Sequence, residues 1–273
     1  MTALRTLSFR YPALLLATAV FSLPTFWVVV TSLKKQSEFS SLRLFPEVPQ
    51  LVNYELAVTL ADFAKFATNS VVLATSYTLL VVATSALVGY GFARHRGPFR
   101  DQLFVVVLAM MMVPNVVLFV PQFVVFAKLE LTNTYWPWIL WALGTSPLHV
   151  FLFRQFFASF PRELSDAAEV DGAGPLRVFL QVFVPNAWPA FAASLIFAYT
   201  WVWGDYLYPI LLLNDSNTTL AVKLATAYAD PHGNPLQTVT MAGVVLYALP
   251  LVAIFFVAQR FIIKGVVTTG LRG

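Results

Sequence analysis

The stretch FATNSVVLATSYTLLVVATSALVGYGFA, residues 66–93, contains no Lys, Arg, Asp or Glu. A helix rises about 1.5 Å per residue and needs about 20 apolar residues to cross the hydrocarbon core of a bilayer. A membrane-spanning β-strand would need about 9–11 residues of alternating polarity, and this stretch does not alternate. It therefore predicts a transmembrane helix.

Five further long stretches are equally free of these four charged residue types. Irregular backbone cannot face lipid, so each stretch is expected to be helical where it does. The first stretch follows Arg5 and Arg10 and could be a cleaved signal peptide, but it is longer than a signal core and we expect it to be retained. We predict an all-α, polytopic membrane protein, a single domain whose six transmembrane helices lie at about 12–33, 67–93, 102–127, 135–157, 187–213 and 239–263.

Composition excludes several classes of function. Of the 273 residues, 59% are hydrophobic and 11% charged, whereas a soluble domain has about 25% charged residues, so an ordinary cytosolic enzyme is excluded. The chain has no Cys, and its three His are too dispersed for a metal site. It also lacks a G-x-x-x-x-G-K-[S/T] phosphate-binding loop. We therefore expect no metal, cofactor or catalytic residue in this chain, and no nucleic-acid partner, because its basic residues are scattered between apolar runs.

The basic residues predict the orientation in the membrane. If the N-terminus is cytoplasmic, the inner segments hold eleven Lys and Arg residues and the outer segments six. Cytoplasmic loops carry the excess of basic residues in membrane proteins. Both termini and the connection 158–186 are therefore predicted to be cytoplasmic, and 34–65 and 214–238 are predicted outer loops.

The inner connection 158–186 predicts a short amphipathic helix. Ser159 can cap it, Pro161 and Glu163 suit its first turn, and Gly172 suits the positive φ at which helices often end. Ala residues on its apolar face keep the surface low enough to seat in a groove of another protein. From the residues alone, a helix resting on lipid headgroups is the favoured explanation.

The same connection resembles a known family. The segment DAAEVDG, residues 166–172, is followed after nine residues by VFVP, residues 182–185. This resembles the EAA loop of ABC importer permeases: Glu-Ala-Ala, three residues, Gly, nine residues, Ile-x-Leu-Pro, with Asp166 in place of Glu. Resemblance to the carbohydrate-transporting, maltose-type branch extends over nearly the whole chain, through 53–54, 69–70, 90–94 and the tail 265–273.

This resemblance implies a type I ABC importer permease fold and a set of partners. These are a second homologous permease, an ATPase dimer that holds ATP and Mg²⁺, and an extracytoplasmic solute-binding protein, in a bacterial or archaeal plasma (inner) membrane. The family's EAA helix docks on the ATPase, and the C-terminal tail, here 270–273, also reaches toward it. The residues to which the resemblance carries the docking role are Glu163, Asp166, Ala167, Ala168, Asp171 and Gly172.

A candidate solute path follows from one acid in the fifth predicted span. Asp205 follows an aromatic-rich segment, and an acid inside a span is costly enough to suggest a function. Aromatic faces stack on sugar C–H groups while a carboxylate accepts hydroxyl protons. In a continuous helix Trp201, Asp205 and Tyr208 share a face and Trp203 does not. The alternative is an interfacial belt of aromatic residues with Asp205 near the headgroups.

The function predicted is the permease subunit of an ABC importer that carries a sugar or sugar-like solute, without an ATPase site of its own. A proton-coupled secondary transporter would need acids in several spans, and a non-transporting membrane scaffold would not need the EAA spacing. Helix packing is expected at Gly89 and Gly91. Kinks are expected at Pro114, Pro121, Pro147 and Pro250.

Overall fold

The computed structural model describes residues 2–226, 228–230 and 232–270, and it describes the side chains of 11–226, 228–230, 232–257 and 259. Within these residues the regular structure is helical, apart from one isolated β-bridge between Ala229 and Pro235. The all-α prediction is therefore confirmed. The last three residues of the tail, for which an ATPase contact was predicted, lie outside the described residues.

The helices run in chain order, with short 3₁₀ and π segments between them. They are α1 Thr2–Ser32, α2 Val52–Leu60, α3 Phe63–Arg94, α4 Arg100–Met110, α5 Asn115–Lys128, α6 Trp136–Leu143, α7 Pro147–Ala158, α8 Glu163–Val170, α9 Pro175–Val178, α10 Val184–Asn186, α11 Trp188–Trp203, α12 Leu207–Leu212, α13 Leu220–Thr226 and α14 Gln237–Gly270. A 3₁₀ turn covers Gln36–Glu38, and a π-helical turn covers Phe179–Phe183.

Three described helices are long and apolar enough to cross a membrane unbroken: Tyr11–Ser32, Phe63–Arg94 and Gln237–Val257. Two bent pairs pass the same test together, α4 with α5 at 96° and Pro175–Asn186 with α11 at 82°, which brings the count to as many as five. The predicted span 135–157 is occupied by α6 and α7, separated by a break. Six spans and a single domain remain predictions. The third and fourth predicted spans are interrupted where kinks were expected, and the continuous helix assumed for the fifth span is wrong, because α11 and α12 are separate helices.

Proline chemistry explains where two of the breaks fall. Pro114 is the N-cap residue of α5, and Pro147 is the first residue of α7. Proline lacks the N–H that a helix interior needs, whereas the first turn of a helix does not need it. Pro121 and Pro250 instead lie inside the continuous helices α5 and α14. The four predicted kink positions therefore divide into two helix starts and two interior positions.

The chain forms two compact units. The first comprises the residues up to Phe66 together with Val222–Leu249. In this unit Asn53 of α2 is 6% exposed and connects α2 to the end of α1. Its Nδ2 donates to the carbonyl oxygens of Ser32 and Lys34, both at 2.8 Å. Each of these carbonyls lies at or beyond the end of α1, where helical carbonyls lose their partners. Asn53 thus closes the C-terminal end of α1.

The second unit comprises Ala67–Ala221 with Pro250 onward, and its core is aromatic. Tyr90 on α3 lies against Phe157 of α7 and against Phe179 and Phe183 of the π-helical turn. At Gly89 the helices α3 and α7 approach closely enough that an added Cβ would lie 2.7 Å from the Cβ of Phe153. The packing role predicted for Gly89 is confirmed.

Gly91 differs from Gly89. An added Cβ at Gly91 would meet no atom of the described residues within 4 Å. The position therefore does not need a glycine for close approach, and the prediction that both glycines serve packing is wrong for Gly91. Two residues along a helix turn a side chain by roughly 200°, which takes Gly91 away from the face that contacts α7.

Candidate functional site: a helix-break cavity and an exposed inner helix

The amphipathic helix predicted in the inner connection is α8. It begins at Glu163 with Arg162 as N-cap, and no side chain caps it. Ser159 does not cap α8, because its hydroxyl donates to the carbonyl oxygen of Phe156 at 2.7 Å and so closes the end of α7. The predicted capping role of Ser159 is wrong because its hydroxyl, like its backbone N–H, donates to a carbonyl in the last turn of α7.

The C-terminal end of α8 lies where Gly172 predicts it. Gly172 has φ +78, and its N–H donates to Glu169 O at 2.9 Å. The N–H of Ala173 donates to Ala168 O, also at 2.9 Å. This pair of bonds is a Schellman motif, which satisfies two carbonyls of the last turn and needs a left-handed residue at the glycine position. Gly172 therefore ends α8 by conformation, because an added Cβ there would meet nothing within 4 Å.

The two alanines of α8 have different environments. Ala168 is partly buried and packs against the aromatic core of the second unit. Ala167 is exposed, and Val170 is 88% exposed. The exposed surface of α8 combines these side chains with carboxylates, and the members of the predicted docking set that are exposed are Glu163, Asp166, Ala167, Asp171 and Gly172.

Three helix breaks of the second unit meet at one cavity of about 390 Å³, here called the helix-break cavity. Its lining includes Val113 from the α4–α5 break, Gly144 to Ser146 from the α6–α7 break, and Asp205 from the α11–α12 break. At the second break Thr145 has φ +66. A β-branched residue rarely adopts this conformation, and such strain costs about 1–3 kcal/mol and clusters at functional sites.

Asp205 is held by the start of α12. Helix α11 ends at Trp203, Gly204 follows, and the Asp205 Oδ1 accepts the N–H of Tyr208 at 3.3 Å. The carboxylate is half-buried and also accepts from the backbone of Leu207; an ionised carboxylate offers about four lone-pair positions, so these two bonds leave acceptor capacity for a ligand. The bond from Tyr208 fixes that residue beside the acid.

Aromatic rings surround Tyr208 in this cavity. Its ring centroid lies 4.7 Å from that of Trp141 and 4.5 Å from that of Phe119. Trp141 also packs edge-on against Trp138 at 5.6 Å. Rings locked by one another in this way present fixed faces at low entropic cost. The cavity therefore combines aromatic faces, a carboxylate and the polar backbone of three breaks.

The three predicted pathway residues, Trp201, Asp205 and Tyr208, all line this cavity. They meet for a different reason from the predicted one. The prediction assumed a continuous fifth helix, whereas the break at Gly204 separates Trp201 on α11 from Tyr208 on α12. Trp203 is 2% exposed, stacks on Tyr199 at 5.8 Å and does not line the cavity, in agreement with the prediction that it lies on a different face from Trp201.

Sequence reasoning missed other cavity residues. Trp141, Gln122 and Tyr77 line it, and the Gln122 Oε1 is buried with no hydrogen-bond partner among the described residues. A buried acceptor without a donor is uncommon and costs about 1–3 kcal/mol. The polar residue Gln122 directly after Pro121 inside an apolar run was the available signal. Among the described residues no group of three or more His, Asp or Glu could hold a metal ion.

Interrupted helices around a polar and aromatic cavity are typical of membrane transport components. The chain matches the family model "Binding-protein-dependent transport system inner membrane component" over residues 82–268. The chain belongs to this family, which comprises the non-catalytic permease subunits of ABC importers, with the ATPase on a separate subunit. The resemblance stated from the sequence is therefore confirmed.

Similar proteins extend the match over most of the chain. The lactose transport system permease protein LacG of Rhizobium radiobacter is 32% identical over 94% of this chain and 93% of LacG. The arabinooligosaccharides transport system permease protein AraQ of Bacillus subtilis is 32% identical over 93% of this chain and 92% of AraQ. In fold, the chain resembles a solved bacterial ABC transporter involved in alginate import, with TM-score 0.76 and 21% identity over 94% of this chain and 96% of that one.

Proposed function

We propose that this chain is the permease subunit through which an ABC importer passes a sugar or sugar-like solute. The observation that carries the proposal is the meeting of three helix breaks at one cavity that contains Asp205 and Tyr208. Backbone that leaves the helix at membrane depth is tolerated only where it is buried or lines a water-filled cavity. Transporters build their solute sites from such discontinuous helices.

The chemistry of the cavity supports a polyhydroxylated solute. Asp205 supplies a hydrogen-bond acceptor for hydroxyl groups, and Trp141 and Tyr208 supply ring faces for the C–H face of a sugar. Trp201 is 58% exposed at the same cavity and adds a further face. A volume of about 390 Å³ lies within the range of about 300–1,000 Å³ in which small-molecule sites fall.

We further propose that ATP hydrolysis on a partner subunit acts on this chain through α8. Its exposed acids, Ala167 and Gly172 would contact an ATPase subunit that holds ATP and Mg²⁺, while Ala168 would transmit the contact inward. The complete assembly would contain a second homologous permease, two ATPase subunits and an extracytoplasmic solute-binding protein. We place both termini on the cytoplasmic side of a bacterial or archaeal plasma membrane, as the basic-residue asymmetry favours.

Uptake by cells carrying cavity variants tests the solute path. Asp205→Asn keeps the size of the side chain but removes the charged acceptor, and hydrogen bonds to charged groups contribute about 1.5–3 kcal/mol, so uptake should fall about tenfold or more. Trp141→Leu should also reduce uptake. The matched control is Trp136→Leu, because Trp136 is 56% exposed on the same helix and is absent from the cavity lining.

A panel of radiolabelled disaccharides and trisaccharides, assayed at matched membrane levels, serves as the probe. Near-normal uptake by both cavity variants would end the proposal for this cavity. Uptake that persists without the ATPase subunits would instead favour a secondary transporter.

A further inference from the structure

Two side chains join the inner end of α3 to the connection that carries α8: Tyr90, whose hydroxyl donates to the carbonyl oxygen of Pro175, after α8, at 3.4 Å, and Arg94, which reaches the segment before α8. Arg94 is the last residue of α3, and its Nη2 donates to the carbonyl oxygen of Phe160 at 2.6 Å. Phe160 lies between α7 and α8, three residues before α8 begins. The guanidinium therefore holds the segment from which α8 departs.

The same guanidinium also rests on the π-helical turn. Its central carbon lies 4.7 Å from the centroid of the Phe183 ring. Phe183 is fully buried, stacks on Phe160 at 5.5 Å and lies 5.0 Å from Tyr90. A planar guanidinium can lie flat on a ring and donate hydrogen bonds from its edge at the same time, in a fixed geometry. Arg94 thus contacts the segments on both sides of α8 through one rigid group.

The element on which Arg94 rests is itself unusual. Single π-helical turns are rare within helices and occur often at functional sites. This one, Phe179–Phe183, follows α8 and α9 and packs against both. A small displacement passes from one element to the next when their interface can switch between two discrete packing arrangements, because such an interface does not deform continuously. The π-helical turn can gain such an arrangement by converting to regular α-helix.

One donor of Arg94 is unused. Its Nε is buried and has no hydrogen-bond partner among the described residues. Arg162 and Asp166, at the start of α8, lie near enough for their charges to act on the guanidinium. A small displacement of α8 would therefore change the electrostatic environment of a group that is already under-satisfied.

We propose that Arg94 is a positioning residue that carries the displacement of α8 to the inner end of α3. The inference rests on the proposed function, in which α8 receives the movement of an ATPase. Arg94 contacts neither solute nor nucleotide in this account. It keeps α8, the π-helical turn and α3 moving as one body, so that a movement at the cytoplasmic surface reaches the helices that line the helix-break cavity.

The test uses spin-label distances in the assembled complex, with partner subunits free of cysteine. This chain has no cysteine of its own, so pairs can be introduced at will. One pair joins Leu87 on α3, 48% exposed, to Glu169 on α8, and a second joins Glu169 to Val120 on α5, 71% exposed. Each pair is measured at rest and after trapping with ATP and vanadate.

In the parent chain the α8–α5 distance should change on trapping, by about 1–2 Å or more, as helix shifts of this kind do. The α8–α3 distance should stay constant. In Arg94→Met both distances should match the parent at rest, whereas the α8–α3 distance should change or broaden on trapping. Uptake should fall about 2- to 30-fold, the range expected when coupling is weakened, while ATP hydrolysis continues.

Arg154→Met is the matched control. Arg154 lies 4.1 Å over the Phe104 ring in the same unit, so it is also an arginine stacked on a phenylalanine, but it belongs to α7 and joins α4. It should leave the α8–α3 distance constant. Arg94→Lys, which keeps the charge and can still donate but lacks the planar fork, should be intermediate, and it carries the test if Arg94→Met does not accumulate in membranes.

The outcomes separate the two proposals. An α8–α3 distance that stays constant on trapping in Arg94→Met, or one that changes equally in Arg154→Met, overturns the role of Arg94 alone. An α8–α5 distance that does not change in the parent chain overturns this inference together with the role of α8 as the receiver of ATPase movement. If Arg94 only stabilised the fold, Arg94→Met would alter the two distances at rest and the amount of protein in the membrane, and trapping with ATP and vanadate would add no further change.

Discussion

Replacing Gly172 by alanine tests how the end of α8 is built. The residue has φ +78, and an added Cβ would meet nothing within 4 Å. The cost inside the chain is therefore conformational, about 1–2 kcal/mol for an L-residue in the left-handed region. A loss of about 1 kcal/mol corresponds to a roughly fivefold smaller population of the intact helix end. We expect the ATPase to be retained about fivefold less well on purification, and uptake to fall accordingly.

Two further variants separate conformation from bulk. Gly174→Ala is the matched control, because Gly174 lies in the same connection, has φ −69 and is equally free of neighbours. It should be neutral. Gly172→Asn should recover most of the loss, since Asn tolerates the left-handed conformation. Gly172→Asp should be worse than Asn at the same position, because its charge would have to be accommodated against the docked partner.

The assay is co-purification of the ATPase with this chain, followed by uptake at matched membrane levels. Equal retention of the ATPase by Gly172→Ala and Gly174→Ala would refute the reasoning, because it would mean that the left-handed end of α8 is not needed for docking. Normal retention of the ATPase by Gly172→Asp would favour the alternative in which α8 rests only on lipid headgroups.

Three other predictions follow from single contacts. Gly89→Ala should lower the free energy of unfolding by about 1–3 kcal/mol in a detergent melt, because its Cβ would lie 2.7 Å from that of Phe153, whereas Gly91→Ala should be neutral. Asn53→Ala should cost about 1–3 kcal/mol in the same melt, because it leaves the carbonyls of Ser32 and Lys34 without their buried donor. Hydrogen bonds from the Asn234 side chain and backbone hold the pKa of Asp230 below its ordinary value. The loop closed by Asp230 and Asn234 should therefore stay ordered above the ordinary aspartate pKa and open as the pH falls through the lowered pKa. A spin label at His232→Cys should report this opening as increased mobility. Asn234→Ala removes the side-chain bond and should move the transition to higher pH.

The sequence predicts the helices well and their interruptions poorly. Charge-free length indicates where the chain can lie in lipid, but it does not distinguish a continuous helix from one broken at membrane depth. Pro114 and Pro147 mark two of the breaks. The third, at Gly204, has no proline, and a lone glycine in an apolar run is weak evidence for a break.

The candidate site shows the same division. Gly172 was predictable because the requirement for positive φ is local. Trp141 was not, because a tryptophan in an apolar span has the same pattern whether it packs or lines a cavity. Asp205 was identified by the cost of its charge, but its neighbours depend on a tertiary arrangement of three breaks that no periodicity encodes.

The measurement that tests the central claim most directly is the accessibility of one cysteine at Ala167, an exposed residue of α8. The parent chain has no cysteine to interfere. The account predicts that a membrane-impermeant maleimide leaves Ala167→Cys unlabelled in intact cells, labels it in inverted vesicles of the chain alone, and is blocked there when the ATPase subunits are bound. Labelling from outside intact cells, or labelling in inverted vesicles that is unchanged by the ATPase, would contradict the claim that α8 is a cytoplasmic docking helix.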